Sequence, residues 1–296
     1  MISGSIVALV TPMKVNGEVD YSALTSLLEW HIAQGTDAIV AVGTTGESAT
    51  LSVDEHCEVL RCTVTTVAGR IPVIAGTGSN STSEAIELTA IAKSVGADAC
   101  LLVTPYYNKP SQRGLLEHYK KIAAAVEIPQ ILYNVPSRTG CDLLPDTIIE
   151  LSSVHNIIGI KEATGNLDRG RQLLSQCPAQ FSVYSGDDAT ALELILAGAK
   201  GNISVTANVI PGIMARICKL CLQGQSDRSF AEEARFLNTS IAALHKDLFL
   251  EANPVAVKWA LYEMGKIDAG LRLPLVELDP RFREFLRATL INTGVL

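Results

Sequence analysis

The chain has 296 residues, 48% of them hydrophobic and 19% charged, a globular composition with ample apolar material for a large core. Its net charge of −7 and pI of about 5.3 disfavour nucleic acid and anionic membrane surfaces as partners. No uninterrupted apolar run of about eighteen residues occurs and the first residues lack a basic signal region, so no membrane span and a cytoplasmic location are expected.

Short apolar, β-branched runs alternate with helical patterns along the chain, the signature of a parallel α/β fold. Strands are expected at residues 5–11, 37–43, 72–76, 99–104, 130–134, 157–162, 181–185 and 201–206. Several are apolar on both faces, as strands covered by helices must be. A helix over 21–34 has Asp20 or Ser22 to cap it, and Ser52 with Glu55 forms a capping box for the next. Ser81 or Thr82 can cap a helix over 83–95, which Gly96 ends. After the eighth strand the pattern turns helical, with helices expected over 211–223, 227–250 and 254–264. Eight strand–helix units in series predict an α/β architecture: a (β/α)8 TIM barrel over 1–210 carrying the active site, then a C-terminal helical extension over 211–296. An open doubly wound sheet competes with this reading, but the first strand–helix turn has no G-x-G-x-x-G run.

The seven cysteines are odd in number and lie mostly among apolar neighbours, which reads as small core residues in a reducing compartment. Cys218 and Cys221 have C-x-x-C spacing on a helical pattern with no second pair, which disfavours a zinc or redox role. No His, Cys and carboxylate cluster has metal-ligand spacing and no flavin or nicotinamide fingerprint occurs, so neither metal nor cofactor is expected.

Chemistry in such a barrel gathers at the C-terminal ends of the strands. Here those ends are polar: Gly43-Thr44-Thr45-Gly46-Glu47, Thr104-Pro105-Tyr106-Tyr107-Asn108, Tyr133 through Arg138, Lys161, Ser185-Gly186-Asp187-Asp188, and Ser204 through Asn208. Lys161 closes the apolar run Ile157-Ile158-Gly159-Ile160. Burial disfavours the charged form of an amine, and a neutral amine is a nucleophile for carbonyls. The alternative is a surface lysine, or half of a buried ion pair with Glu162. Tyr133 suits proton transfer beside Lys161 or simple core packing, and Arg138 suits a carboxylate or the solvent. Asp187 and Asp188 bind substrate or, more simply, cap the next helix. With Lys161 pointing into a ring of hydroxyls, the set is suited to imine chemistry on a small keto acid.

The motifs GTTGE, TPYYN, YNVPSRTG, GIKEATG, SGDD and ISVTAN, in this order, with NPVAVKWA and LRLPL further on, resemble the dihydrodipicolinate synthase family. It is one of the pyruvate-dependent lysine aldolases, which include N-acetylneuraminate lyase, and the resemblance covers essentially the whole chain. It implies a lyase that condenses pyruvate with L-aspartate 4-semialdehyde in lysine and diaminopimelate biosynthesis. By resemblance, Lys161 forms the imine, Tyr133 moves the proton, and Thr44 links it to Tyr107, supplied by a neighbouring subunit. Thr45 and the backbone around Gly186 and Ile203 then hold pyruvate, and Arg138 grips the semialdehyde carboxylate. A homotetramer, a dimer of tight dimers, is implied.

The resemblance further implies feedback inhibition by lysine in an interface cleft formed by Ser48, Ala49, His56, Asn80, Glu84 and Tyr106. One position departs, Val53 standing where a histidine is common, which predicts weaker inhibition. A sister aldolase acting on a sugar-derived aldehyde is the competing reading, against which Arg138 favours a second substrate with its own carboxylate. A non-catalytic amino-acid sensor is a further one, opposed by the joint presence of Lys161, Tyr133, Thr44 and Tyr107.

Overall fold

Strand and helix alternate from the first residues onward in the computed structural model, which describes residues 2–296. Among these, eight strands and twelve α-helices follow in the order β1 (Gly4–Ala8), α1 (Tyr21–Ala33), β2 (Ala38–Ala41), α2 (Val53–Val67), β3 (Val73–Gly76), α3 (Thr82–Ser94), β4 (Ala99–Val103), α4 (Gln112–Ala125), β5 (Gln130–Asn134), α5 (Pro136–Thr139), α6 (Pro145–Leu151), β6 (Ile157–Glu162), α7 (Leu167–Gln176), β7 (Ser182–Ser185), α8 (Ala191–Leu196), β8 (Gly201–Ser204), α9 (Pro211–Gly224), α10 (Arg228–Asp247), α11 (Val255–Glu263) and α12 (Pro280–Asn292). Each strand pairs in parallel with the next, and β8 returns to β1 with Ile6 opposite Ile203, which closes the barrel. No helix among the described residues is long and apolar enough to cross a membrane.

Strand alternation divides the apolar residues into two sets. Ile6, Val40, Ile74, Leu101, Ile131, Tyr133, Tyr184 and Ile203 pack together inside the barrel. Val7, Ile39, Val73, Leu102, Leu132, Ile160 and Val183 face the helical shell in a second, larger cluster. Tyr184 is fully buried in the inner set, and its hydroxyl donates to the Ile2 carbonyl at 2.8 Å, which plugs the barrel floor. The mouth at the other end is left to the polar strand ends.

Local signals set the helix starts. Asp20 caps α1, accepting from the Ala23 N–H at 2.9 Å. Ser52 and Glu55 complete the capping box of α2, with bonds of 3.2 and 2.9 Å. Ser81, rather than Thr82, caps α3, and Gly96 at φ +91° turns the chain out of it. The α12 helix lies outside the three expected after the eighth strand; Asp279 caps it and Pro280 stands at its first turn.

Four strands stop short of their expected ends, β2 at Ala41 and β4 at Val103 among them, and in the other two, β1 and β8, side chains take over the backbone groups. Instead of running to Thr11, β1 ends at Ala8, and the Val10 N–H donates to Asn208 Oδ1 at 3.0 Å. The last strand ends at Ser204 and not Thr206, since Asp188 accepts from the Val205 and Thr206 N–H groups at 3.0 and 2.9 Å; a 3₁₀ turn, Thr206–Asn208, follows. Past it, α9 packs against both β1 and α8 and pairs along its length with α10. The division between 1–210 and 211–296 therefore runs through a packed contact.

Candidate active site

Lys161 lies on β6 between Tyr133 of β5 and Tyr184 of β7 in the strand register. Alternation turns Ile160 and Glu162 to the helical shell and Lys161 into the barrel. Only 6% of the residue is exposed, and its Nζ sits 4.3 Å from the centre of the Tyr133 ring. Gly186 completes this wall: a Cβ there would come within 2.8 Å of Lys161 Cε and 2.7 Å of the Ala163 methyl, so only glycine lets the lysine stem pass.

The ion-pair reading of Lys161 with Glu162 is not what the fold adopts. Glu162 instead accepts from Asn134 at 3.3 Å and the Thr164 N–H at 2.9 Å. The Nε of Arg169 stands 3.0 Å from the same carboxylate, an ion pair without hydrogen-bond alignment. Among the described residues no carboxylate lies within 4.0 Å of the Lys161 amine. The two aspartates after β7 divide their duties. Asp187 accepts from the Thr190 N–H and hydroxyl, holding the turn into α8, while buried Asp188 ties down the end of β8.

A cavity of about 580 Å³ opens over the barrel mouth. Its wall includes Gly43, Thr44, Tyr133, Arg138 and Asn253, and it continues past Ser48, Ala49, Val53, His56, Glu84 and Tyr106. Catalytic and effector candidates thus share one continuous space, with the divergent Val53 on its wall. Arg138, on α5, donates to the Asn253 carbonyl at 3.3 Å. Ile203 packs in the inner apolar set with Tyr133, and Thr45 is buried, its hydroxyl accepting from Asn253 Nδ2 at 2.9 Å. Lys161 meets the cavity through Tyr133 rather than lining it.

Tyr107 stands apart, 89% exposed at φ +73°, while its neighbour Tyr106 turns to the cavity. Asn80 donates to the Tyr106 carbonyl at 3.2 Å, and Ser79 donates to Glu84 at 2.7 Å. Burial holds the His56 imidazole below its ordinary value, against the pull of the Gly76 backbone and Glu84, and its Nε2 has no partner among the described residues. Burial pushes the Cys218 thiol well up and the Cys221 thiol up to about 12.

Sequence reasoning assigned no part to Asn253, Glu47 or Lys258. The side chains of Glu47 and Lys258 are 0% and 2% exposed, and Lys258 donates to Glu47 at 2.5 Å. Burial pulls the Lys258 amine below its ordinary range against the opposing pull of Glu47. The available signal was the one that marked Lys161, a lysine inside the apolar run Val255-Ala256-Val257-Lys258-Trp259-Ala260.

The family model described as Dihydrodipicolinate synthetase family matches residues 1–293. The chain is 62% identical to the 4-hydroxy-tetrahydrodipicolinate synthase of Stutzerimonas stutzeri, over 100% of both chains. It superposes with a TM-score of 0.97 and 56% identity on the chloride-inhibited dihydrodipicolinate synthase of Acinetobacter baumannii complexed with pyruvate, covering 100% of each chain. A dihydrodipicolinate synthase from Cyanidioschyzon merolae with lysine bound is 40% identical, with a TM-score of 0.95 over 100% of this chain and 99% of that one.

Proposed function

This chain belongs to the dihydrodipicolinate synthetase family, and on that premise we propose that it condenses pyruvate with L-aspartate 4-semialdehyde through an imine on Lys161, giving 4-hydroxy-tetrahydrodipicolinate on the route to diaminopimelate and lysine. The carrying observation is a buried lysine with no carboxylate partner among the described residues, packed on Tyr133 at the mouth of the barrel. The amine attacks the ketone carbon of pyruvate and water leaves, forming the iminium. That iminium is an electron sink: the methyl group loses a proton, and the resulting enamine carbon attacks the aldehyde, whose oxygen takes up a proton as the hydroxyl. The semialdehyde's own amine then attacks the imine carbon, closing the ring and expelling the Lys161 amine.

Proton traffic falls to Tyr133, with Thr44 as relay and Tyr107 as the outer member. An exposed Tyr107 suits insertion into a neighbouring subunit, so the smallest complete unit is a dimer, within the homotetramer that the family resemblance suggests. Thr45, Gly186 and Ile203 frame the pyruvate side, and Arg138 offers its guanidinium fork to the carboxylate of the semialdehyde. Lysine is the proposed feedback effector, held by Ser48, Ala49, His56, Asn80, Glu84 and Tyr106; the continuous cavity and the lysine-bound relative support this. Calorimetry should find millimolar lysine binding that Glu84→Ala weakens; no binding would remove the effector role.

Borohydride reduction in the presence of pyruvate, followed by peptide mass analysis, tests the catalytic reading. A pyruvyl adduct on Lys161 alone is expected. An adduct on Lys109 or Lys258, or on no lysine, overturns it.

A further inference from the structure

We propose that Lys258 of the C-terminal extension is a positioning residue, which through its buried pair with Glu47 holds the Thr44–Thr45 segment in place at the barrel mouth. The inference rests on the proposed roles of Thr44 and Thr45 and adds what keeps them there. Glu47 follows Thr44 by three residues, on the loop between β2 and α2. Its backbone adopts φ +55°, a left-handed conformation that a glutamate avoids unless its surroundings impose it. Within the loop, Glu47 donates its N–H to the Thr44 carbonyl at 3.1 Å, so the glutamate's position and the threonine's are linked.

The clamp comes from far along the chain. Lys258 lies 211 residues from Glu47, on a helix whose neighbours Val257, Trp259, Ala260 and Leu261 are all buried apolar residues. A charge in that setting is tolerated only when paired. Two further tethers follow the same route. Asn253 donates to Thr45 at 2.9 Å across 208 residues, and its carbonyl receives Arg138. Arg272 donates to the Thr50 carbonyl at 2.9 Å and forks onto Glu55, just past the loop. On the barrel side, Thr11 donates to the Gly46 carbonyl at 2.7 Å. The loop is therefore gripped between barrel and extension, with the Glu47–Lys258 pair as its one fully buried ionic contact among the described residues. Without the ammonium, the Glu47 carboxylate relieves its burial by moving towards water, and the threonines move with it.

The test compares wild type, Lys258→Met and the double variant Glu47→Gln/Lys258→Met as full-length proteins. Three readouts are taken: thermal midpoint, borohydride trapping of pyruvate, and kcat and KM measured well below each midpoint. Lys258→Met should lower the midpoint, and the double variant should regain most of it because no charge remains buried. Both should still trap pyruvate on Lys161. Both should lose kcat by about a hundredfold, the usual cost of a small misplacement of a catalytic group, because neither keeps the ionic contact that holds position 47 at its left-handed φ, and KM for pyruvate should rise as Thr45 shifts with Thr44. A stable double variant with kcat within about twofold of wild type would reduce the pair to a structural contact and overturn the inference. Absence of trapping in the wild type would instead remove the imine reading on which it rests, and the inference with it.

Discussion

A lysine reached by the 2.0-residue period of a strand owes its surroundings to that period. One position further on, Glu162 faces Arg169 in the shell; Lys161 faces Tyr133 in the barrel. If Tyr133 and Thr44 form one relay, Tyr133→Phe and Thr44→Val should each lower kcat by roughly tens to thousands of fold, the range for general acid–base groups. The double variant should lose little more than the worse single one, because parts of one unit fail together. Strict additivity in steady-state rates would disconnect them. If Arg138 grips the semialdehyde carboxylate, Arg138→Ala should raise KM for the semialdehyde far more than KM for pyruvate. Equal effects on both would assign Arg138 to the wrong substrate. At this scale Lys161, Tyr133, Thr44 and Arg138 were legible in the sequence as polar groups at strand ends. Glu47–Lys258 was not, because nothing local relates residues 211 positions apart.

Secondary elements followed their local signals closely. The capping box at Ser52 was readable because its two bonds span only three residues. Ser52→Ala should destabilise the protein by about 1 kcal/mol, the usual cost of losing an N-cap, with kcat unchanged. Denaturant unfolding measures this, and an unchanged midpoint would show that Arg272, which also holds Glu55, secures the helix start by itself. Strand ends were less legible than helix starts. The last turn of pairing in β1 and β8 yields to Asn208 and Asp188, side chains whose partners are set by barrel closure rather than by neighbouring sequence.

For the whole molecule, two properties follow from assembly and burial. If Tyr107 serves a neighbouring subunit, co-expressed Lys161→Ala and Tyr107→Phe chains should form hybrids that regain activity. In such a hybrid one site keeps both Lys161 and a partner's tyrosine. Hybrids as inactive as the parents would show Tyr107 acting within its own chain. The second property is acid sensitivity. Burial holds His31 at about 3 against an ordinary 6.5, and His118 at about 4. Between pH 6.5 and those values the unfolded chain binds protons that the folded chain refuses. Stability should therefore be fully present above pH 6.5 and fall as pH drops, by up to about 1.4 kcal/mol per pH unit for each histidine. Unfolding midpoints taken from pH 7 to 4 check this. His31→Gln should show the shallower slope, and a slope equal to wild type would exclude His31 as a source.

Periodicity and caps, which act over a few residues, determined the eight-strand barrel, the starts of α1 to α3 and the lysine at the end of β6 before any contact was known. Tertiary structure decided what lies across the chain: that Glu162 turns to Arg169, that one cavity joins Thr44 and Tyr133 to His56 and Glu84, and that a helix from the extension grips the loop after β2. The reason is range. A hydrogen-bonded cap or a strand period is a property of adjacent residues, whereas the burial that makes Lys258 need Glu47 exists only once the barrel has closed and the extension has packed across its mouth.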